Sequence, residues 1–518
     1  MKDKCFILML VLCSLIACNK RQDIQSDKGE QYMRWEDEYF MQICRQVFHK
    51  QDTFITYDDV SKIEKISYVG VDGKGMIEVS LSGGLEAKVV DIPEISMKSV
   101  ADLKYFKNLT HLEVVSNKFA SIETFETMPE LKTLVLKSRK ITTKTLKEIS
   151  KYSHVESLVI PFLDIDYSCL SDLSTLKAVT VTTAFSQEPN DYGCLQSLPS
   201  EGCLLDLSFI NEVKLTPDLY EVLETHTNIA KLGSLYIPEN CDLSFFKDME
   251  ALDTIRFKVY EFSGDNMSAI AQMNWLKEVT IWGDRIDTDF LSKLPNLERL
   301  ELSITLSDYQ PQDLSISTLG EHDRLEELKL HSFMIENLDG IDRYPKLKSL
   351  TVNHCYIQDI SGLKFLGQLE HIDLDDNLIK DIGAFQNLKN LKYLSMQRNE
   401  IDDISVLHNC PELEFLDLTD NMVTDIDALE GFEKLEDLRL ECNFSSSEDG
   451  FYAENDRRLI AWRNILLSLP NLKYYVGGPP VNEQGWDDWE WISENLPNVK
   501  YGYRDIVEWR QHELEENQ

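Results

Sequence analysis

Between Leu325 and Asn443 the chain repeats itself every 22 residues, and no other feature of the sequence limits the fold as tightly. The first leucine of successive units falls at Leu325, Leu347, Leu369, Leu391, Leu413 and Leu435. Offsets 3 and 5 are apolar each time: Leu328 and Leu330, Leu350 and Val352, Ile372 and Leu374, Leu394 and Met396, Leu416 and Leu418, Leu438 and Leu440. That alternation predicts a short half-buried strand in every unit. Offset 8 holds Cys355, Asn377, Asn399, Asn421 and Asn443. A buried Asn at a chain reversal can satisfy backbone groups of its own and neighbouring coils with both donors and its carbonyl. Cys355 fills the same small slot with less bonding capacity, and Phe333 departs from the pattern, which predicts an irregular turn there. On the return side apolar residues recur every three positions, as in Ile357, Ile360, Leu363 and Leu366 or Val423, Ile426, Leu429 and Phe432. Cys410 takes one such inward place. This spacing fits a 3₁₀ return better than a long α-helix.

The arrangement resembles the leucine-rich repeat, in particular the short-repeat subclass of bacterial internalin-like surface proteins. The resemblance implies an α/β solenoid: a leucine-rich repeat horseshoe with parallel strands on the concave face and 3₁₀ or short helical returns on the convex face. Less regular units extend it from about residue 100, giving about thirteen strand-forming units between 109 and 440. At a strand spacing of 4.7–4.9 Å they would make about 62 Å of sheet. The array is read as 100–443, with irregular insertions near 182–231 and 305–320. Residues 31–99 are expected to cap its start. There Phe40, Ile43, Cys44 and Val47 share a helix face, Thr56 and Asp59 make a capping box for a second helix, and Ile77–Leu81 belongs to a hairpin. Residues 444–518 are read as two longer, helix-backed units closing the other end, with the tryptophans as cover and a last helix around Trp509.

The N-terminus reads as an address. Lys2 and Lys4 precede an apolar run from Phe6 to Cys13, too short to anchor across a roughly 30 Å hydrocarbon core. Leu15-Ile16-Ala17-Cys18 resembles the bacterial lipobox. By that resemblance residues 1–17 are a lipoprotein signal peptide, Cys18 carries the lipid, and residues 18–30 are a flexible tether. Asn19 after the cysteine is compatible with the outer membrane. The expected location is therefore the bacterial cell envelope, lipid-anchored and surface exposed. The body is strongly acidic: 52 Lys and Arg against 90 Asp and Glu leave a formal charge of −38. A bare nucleic-acid or anionic-membrane partner is excluded on that ground, because no general positive footprint exists.

If the leucines face inward, offsets 2, 4 and 6 of each strand face outward as three columns. The best anchor among them is Tyr393 beside Phe415, with His371 one coil away, because aromatics among polar groups are the usual composition of a protein-binding hot spot. Stacked aromatics also stabilise neighbouring strands, and both roles can hold together. Asp373, Asp375 and Asp417 add a negative patch favouring a basic or mixed-charge partner. Gln397 and Arg439 complete the candidate contacts, and Trp282 is a second outward aromatic farther up the array.

Sites of chemistry are not evident. Asp373, Asp375 and Asn377 lack the glycine and closing Glu of a calcium loop, and the repeat turns Asn377 inward. No HExxH or GxSxG is present, and no nucleophile is paired with a base. Cys355 and Cys410 read as buried free thiols, while Cys194 and Cys203 allow a local disulfide in an oxidising compartment. The leading expectation is a membrane-anchored, non-enzymatic protein that recognises a protein (or a surface glycan) through its concave face, without a cofactor. By the resemblance the partner is a host or matrix protein and adhesion the narrower role. Two other classes stay open: an envelope scaffold, and an enzyme with a site in 182–231 or the C-terminal region.

Overall fold

In the computed structural model, description covers residues 33 to 501 except 34, 37, 51–54, 72–73, 84–87, 92–100, 116–127, 139, 153, 184–190, 239–240, 263–264, 306–310, 444–456 and 478–488. The signal segment, Cys18, the tether and Trp509 lie outside the described residues. Among these residues no helix is long and apolar enough to cross a membrane. The chain divides into two compact units, one of residues up to 210 with 216–232, the other of 211–215 with residues from 233 onward.

Among the described residues the first unit holds a nine-stranded sheet. From one edge its order is Ile229–Leu232, Leu204–Leu207, Ala178–Thr182, Ser157–Pro161, Thr133–Lys137, His111–Val115, Ile63–Val71, Lys74–Leu81 and Lys88–Asp91. Pairing is parallel up to Ile63–Val71 and antiparallel beyond it, so the N-terminal hairpin closes one edge of the ladder. The helix Glu38–Val47 buries Phe40, Ile43, Cys44 and Val47. Thr56 and Asp59 form the reciprocal capping box, but the helix they start lasts one turn, Tyr57–Val60. Ile63 and Ile66 belong to the following strand, where β-branched residues fit a pleated surface.

Among the described residues the second unit holds thirteen strands in one parallel sheet. Their order follows the sequence, from Val213–Lys214 and Leu235–Ile237 through Thr254–Phe262, Glu278–Ile286 and Arg299–Ile304 to Glu327–His331, Ser349–Asn353, His371–Asp373, Tyr393–Ser395, Phe415–Asp417, Asp437–Leu440, Tyr474–Gly477 and Lys500–Tyr501. The leucine columns are in register, for example Leu350 with Ile372, Leu394 and Leu416. All of these are buried, and each contributes about 1.5–3 kcal/mol by leaving water.

At offset 7 the chain turns through a left-handed residue in every regular coil: Ser332, His354, Asp376, Arg398, Asp420 and Cys442 have φ between 51° and 64°. In four of these coils the next residue is an asparagine, which supplies the bonds the reversal needs. Asn399 donates its amide to Leu374 O and Met396 O (2.9 and 3.1 Å) and accepts from Ile379 N (3.0 Å). Asn377, Asn421 and Asn443 repeat the arrangement. Phe333 corrects the expected irregular turn: it is fully buried in the same slot, after a Ser332 of the same left-handed conformation. The returns Ser361–Phe365, Gly383–Asn387, Ser405–Asn409 and Asp427–Leu429 are 3₁₀ helices. Each begins beneath an aspartate two residues earlier, Asp359, Asp381, Asp403 and Asp425, whose carboxylate accepts a backbone N–H at 2.7–2.8 Å.

Two departures concern the irregular stretches. Residues 182–231, expected as an insertion, contain Leu204–Leu207 and Ile229–Leu232, which pair parallel with each other and with the strand at 178–182. The short strand Val213–Lys214 pairs instead with Leu235–Ile237. The strand ladder is therefore two sheets rather than one continuous 62 Å run. Residues 305–320 are also less irregular than expected, since Leu314, Ile316 and Leu319 are buried around a short 3₁₀ turn. Cys194 and Cys203 are free thiols, as are the buried Cys355 and Cys410. At the far end Trp462 is buried, its Nε1 donating to Tyr475 O–H at 2.8 Å, which makes it cover rather than contact surface.

Candidate functional site

In-register parallel pairing sets outward residues of successive strands side by side. His371, Tyr393, Phe415 and Asp437 are direct neighbours across four strands. The His371 and Tyr393 ring centroids are 4.1 Å apart and 12° from parallel; those of Tyr393 and Phe415 are 4.3 Å apart and 2° from parallel. Arg439 closes the stack with its guanidinium 4.9 Å from the Phe415 ring. Aromatic pairs of this kind contribute about 0.5–1.5 kcal/mol beyond area burial, and a cation over a ring about 0.5–2 kcal/mol. The three rings remain half-buried, because their faces cover one another and their edges stay open.

Arg439 is fixed by two hydrogen bonds to Asp437 (3.0 and 2.6 Å) and lies 3.7 Å from Asp417. Asp417 is 2% exposed and Arg439 9%, which corrects the expectation that both stand open to a partner. They do rise from the strand face. However, strands this short and closely spaced let the long side chains and rings of neighbours lie over them, so they hold the stack from beneath.

Asp373, Asp375 and Gln397 are half-buried beside the ridge. Burial, reinforced by the neighbouring Asp373 charge, pushes the Asp375 carboxyl up to about 7. Ser395 Oγ and Gln397 N both donate to its Oδ1 at 2.7 Å. Burial also raises Asp417, against hydrogen bonds from Thr419 and the Arg439 charge, and it lowers His371, which favours the neutral imidazole at pH 7. The expected negative patch is therefore weaker than three formal charges. The ridge is an aromatic surface with polar margins, less negative than its carboxyl count implies. Asn377 is buried and turned inward while Asp373 and Asp375 face out, and among the described residues no three His, Cys, Asp or Glu side chains group as a metal site.

Trp282 stands in a different neighbourhood. Tyr236, Lys258 and Trp282 are register partners on three adjacent strands. With Glu212, Ile237, Val259, Tyr260 and Thr305 they line a depression of about 580 Å³. Gly283, next to Trp282, lets two strands approach, since a Cβ there would sit 2.7 Å from Val259 Cγ2. Of the residues not singled out beforehand, Tyr236 was legible by alternation between inward Leu235 and Ile237. Tyr260 was not, because it falls at offset 8 from Leu252, the inward slot of the regular coils, whereas here the strand runs on to Phe262 and leaves it outward.

The family model for the leucine rich repeat matches residues 345–401, the same stretch in which the asparagine turns and 3₁₀ returns are most regular. These are leucine-rich repeats. Among solved structures the chain is similar to an internalin from Listeria monocytogenes, at 16% identity over 90% of this chain and 95% of that one, with a TM-score of 0.34. It is similar also to the functional domain of InlJ from Listeria monocytogenes (13% identity, 75% and 80% covered, TM-score 0.43). A leucine-rich repeat protein of Leptospira interrogans gives 14% identity, 79% and 93% coverage and a TM-score of 0.40. Comparison with curated proteins gives no match. What makes this chain a leucine-rich repeat solenoid is its own parallel ladder and its bonded turns.

Proposed function

We propose that this leucine-rich repeat protein is a binding protein of the bacterial envelope, held by a lipid on Cys18, that recognises a protein partner with the strand face of its second unit. One observation carries the reading: His371, Tyr393 and Phe415 are stacked in advance and clamped by Arg439. A partner meeting these rings need not immobilise them, so little of the binding free energy is lost to side-chain ordering. With Gln397, Asp373 and Asp375 at its margin, and with Asp375 raised by burial, the ridge suits a mixed-charge protein surface better than a strongly basic one. Adhesion is the narrower form of this reading, with the partner on another cell or matrix.

The test is a matched pair of substitutions in the full chain. Gln397→Arg places a long charged side chain at the edge of the ridge, while Gln386→Arg does the same on the exposed return helix Gly383–Asn387. Both variants should melt like the wild type. Only Gln397→Arg should lose, by tenfold or more, the affinity for a partner identified with the wild-type chain; equal affinities for the two variants would remove the ridge from the reading. Anchoring is checked separately: Cys18→Ser should move the protein from the membrane to the soluble fraction, and an unchanged distribution would contradict the lipid.

A further inference from the structure

Two aromatic groups lie on the strand face of the second unit, and they differ in one respect. The rings at 371, 393 and 415 close on each other. Those at 236 and 282 do not, because Lys258 stands between them in register. Its ammonium is 5.0 Å from the Tyr236 ring centroid and 5.2 Å from that of Trp282. Glu212 Oε1 accepts from it at 2.5 Å and the Tyr236 hydroxyl at 3.3 Å. Trp282 is fixed in turn by donating Nε1 to Glu301 Oε1 at 3.0 Å. Tyr260, two residues along the strand from Lys258 and so on the same face, is 56% exposed, and Tyr236 is 42% exposed. Thr305, whose hydroxyl bonds Asp284, completes the depression.

Three features of this site define what fits it. Its rings are spread over the register distance of three strands, about 9–10 Å, instead of being used up in a stack. Its central charges cancel, since Lys258 is neutralised by Glu212, so neither a fixed anion nor a fixed cation is called for. Its margin carries hydroxyl and carboxylate groups within reach of the ring planes. Glu212 is placed there by a left-handed backbone (φ 58°) that non-glycine residues adopt uncommonly, with its N–H donated to Ser234 Oγ at 3.3 Å. The volume of about 580 Å³ lies in the usual range for small-ligand sites. A ligand with flat C–H faces, a rim of hydroxyls and no charge matches all three features.

We propose that the depression formed by Tyr236, Tyr260, Trp282, Glu212, Lys258 and Thr305 is a saccharide-binding site that takes an uncharged pyranose segment, its C–H faces against the tyrosine and tryptophan rings and its hydroxyls bonded to Glu212, Thr305 and the tyrosine hydroxyls. Lys258 is a positioning residue that keeps the rings apart. The site does not depend on the protein-binding reading of the ridge, and either can fail alone.

The experiment is isothermal titration of the full chain with cellohexaose, chitohexaose, mannohexaose and xylohexaose, against a hexagalacturonate and a decaproline peptide. At least one neutral hexasaccharide should bind with a Kd of millimolar or lower. Tyr260→Ala, at an exposed ring whose loss leaves the core untouched, should weaken it tenfold or more without changing the melting temperature. Trp282→Phe should weaken it less, and Gln397→Arg not at all. The proposal is overturned if no neutral sugar binds, if Tyr260→Ala leaves binding intact, or if decaproline or the uronate is the ligand that Tyr260→Ala abolishes.

Discussion

Replacing Asn399 with Ala is the sharpest test of how the regular coils are held together. Its side chain is 8% exposed and bonds two neighbouring coils, its own and the one before it. The consequences for its partners differ. Leu374 O would keep the amide of Asn377 at 3.0 Å, and Met396 O would keep that of Asn421 at 2.7 Å. The N–H of Ile379, inside the turn, would lose the acceptor that satisfies it. A stranded buried donor costs about 1–3 kcal/mol and each lost carbonyl bond about 0.5–1.5 kcal/mol, so the expected loss is roughly 2–6 kcal/mol. Repeat proteins gain stability from nearest-neighbour interfaces, so the damage should concentrate in the coils at 369–421. Urea unfolding followed by circular dichroism should show a lower midpoint, and hydrogen exchange should rise first in peptides containing Ile379. Cys355→Ala is the internal control: the slot is the same and the burial complete, but its thiol makes only weak contacts to Leu330 O and Asn353 O. It should cost clearly less. An Asn399→Ala protein with the wild-type midpoint and a still-protected Ile379 amide would refute the account of the turns.

Two further substitutions probe the ridge. Asp375 has its folded-state carboxyl raised from an ordinary value of 3.8 to about 7, so between those pH values the native state holds a proton that the unfolded state has released. Stability from this group therefore falls as pH rises from about 4 to 7; Asp375→Asn, which can still accept from Ser395 and Gln397, should raise the melting temperature at pH 8 and leave it little changed at pH 4. A pH-independent difference would contradict that placement. Arg439→Leu strands Asp417 and Asp437 in a buried setting and should cost roughly 3–5 kcal/mol at pH 7, with part recovered at pH 5 as the Asp417 carboxyl, already raised by burial, takes up a proton; an equal loss at both pH values would show that packing, not charge, is what Arg439 supplies.

Much of this architecture was legible because the 22-residue repeat encodes it at several levels together. Leu328 with Leu330 gave the strand face, Asn377 to Asn443 the turn bonds, and Ile360 with Leu363 the 3₁₀ return. Alternation also placed Tyr393 and Phe415 correctly on the outward side. It gives the direction of a Cβ and not how far a neighbour will lean over it, and for that reason the burial of Ser395, Asp417 and Arg439 was invisible. The raised carboxyl of Asp375 follows from the same burial. The division into two sheets escaped notice because Leu204–Leu207 and Val213–Lys214 follow the leucine spacing poorly, and only pairing partners assign them to different ladders. Tyr260 was hidden by the repeat itself, since offset 8 is an inward slot in the regular coils and an outward strand position here.

The claim that the strand face is where this protein meets its partner can be read most directly by site-specific photo-crosslinking in intact cells. A benzophenone amino acid placed at Gln397 should trap a partner in a defined adduct, and the same probe at Gln386 on the return helix should trap none. Adducts formed from position 386 and absent from 397 would contradict the account and move recognition to the opposite side of the repeats.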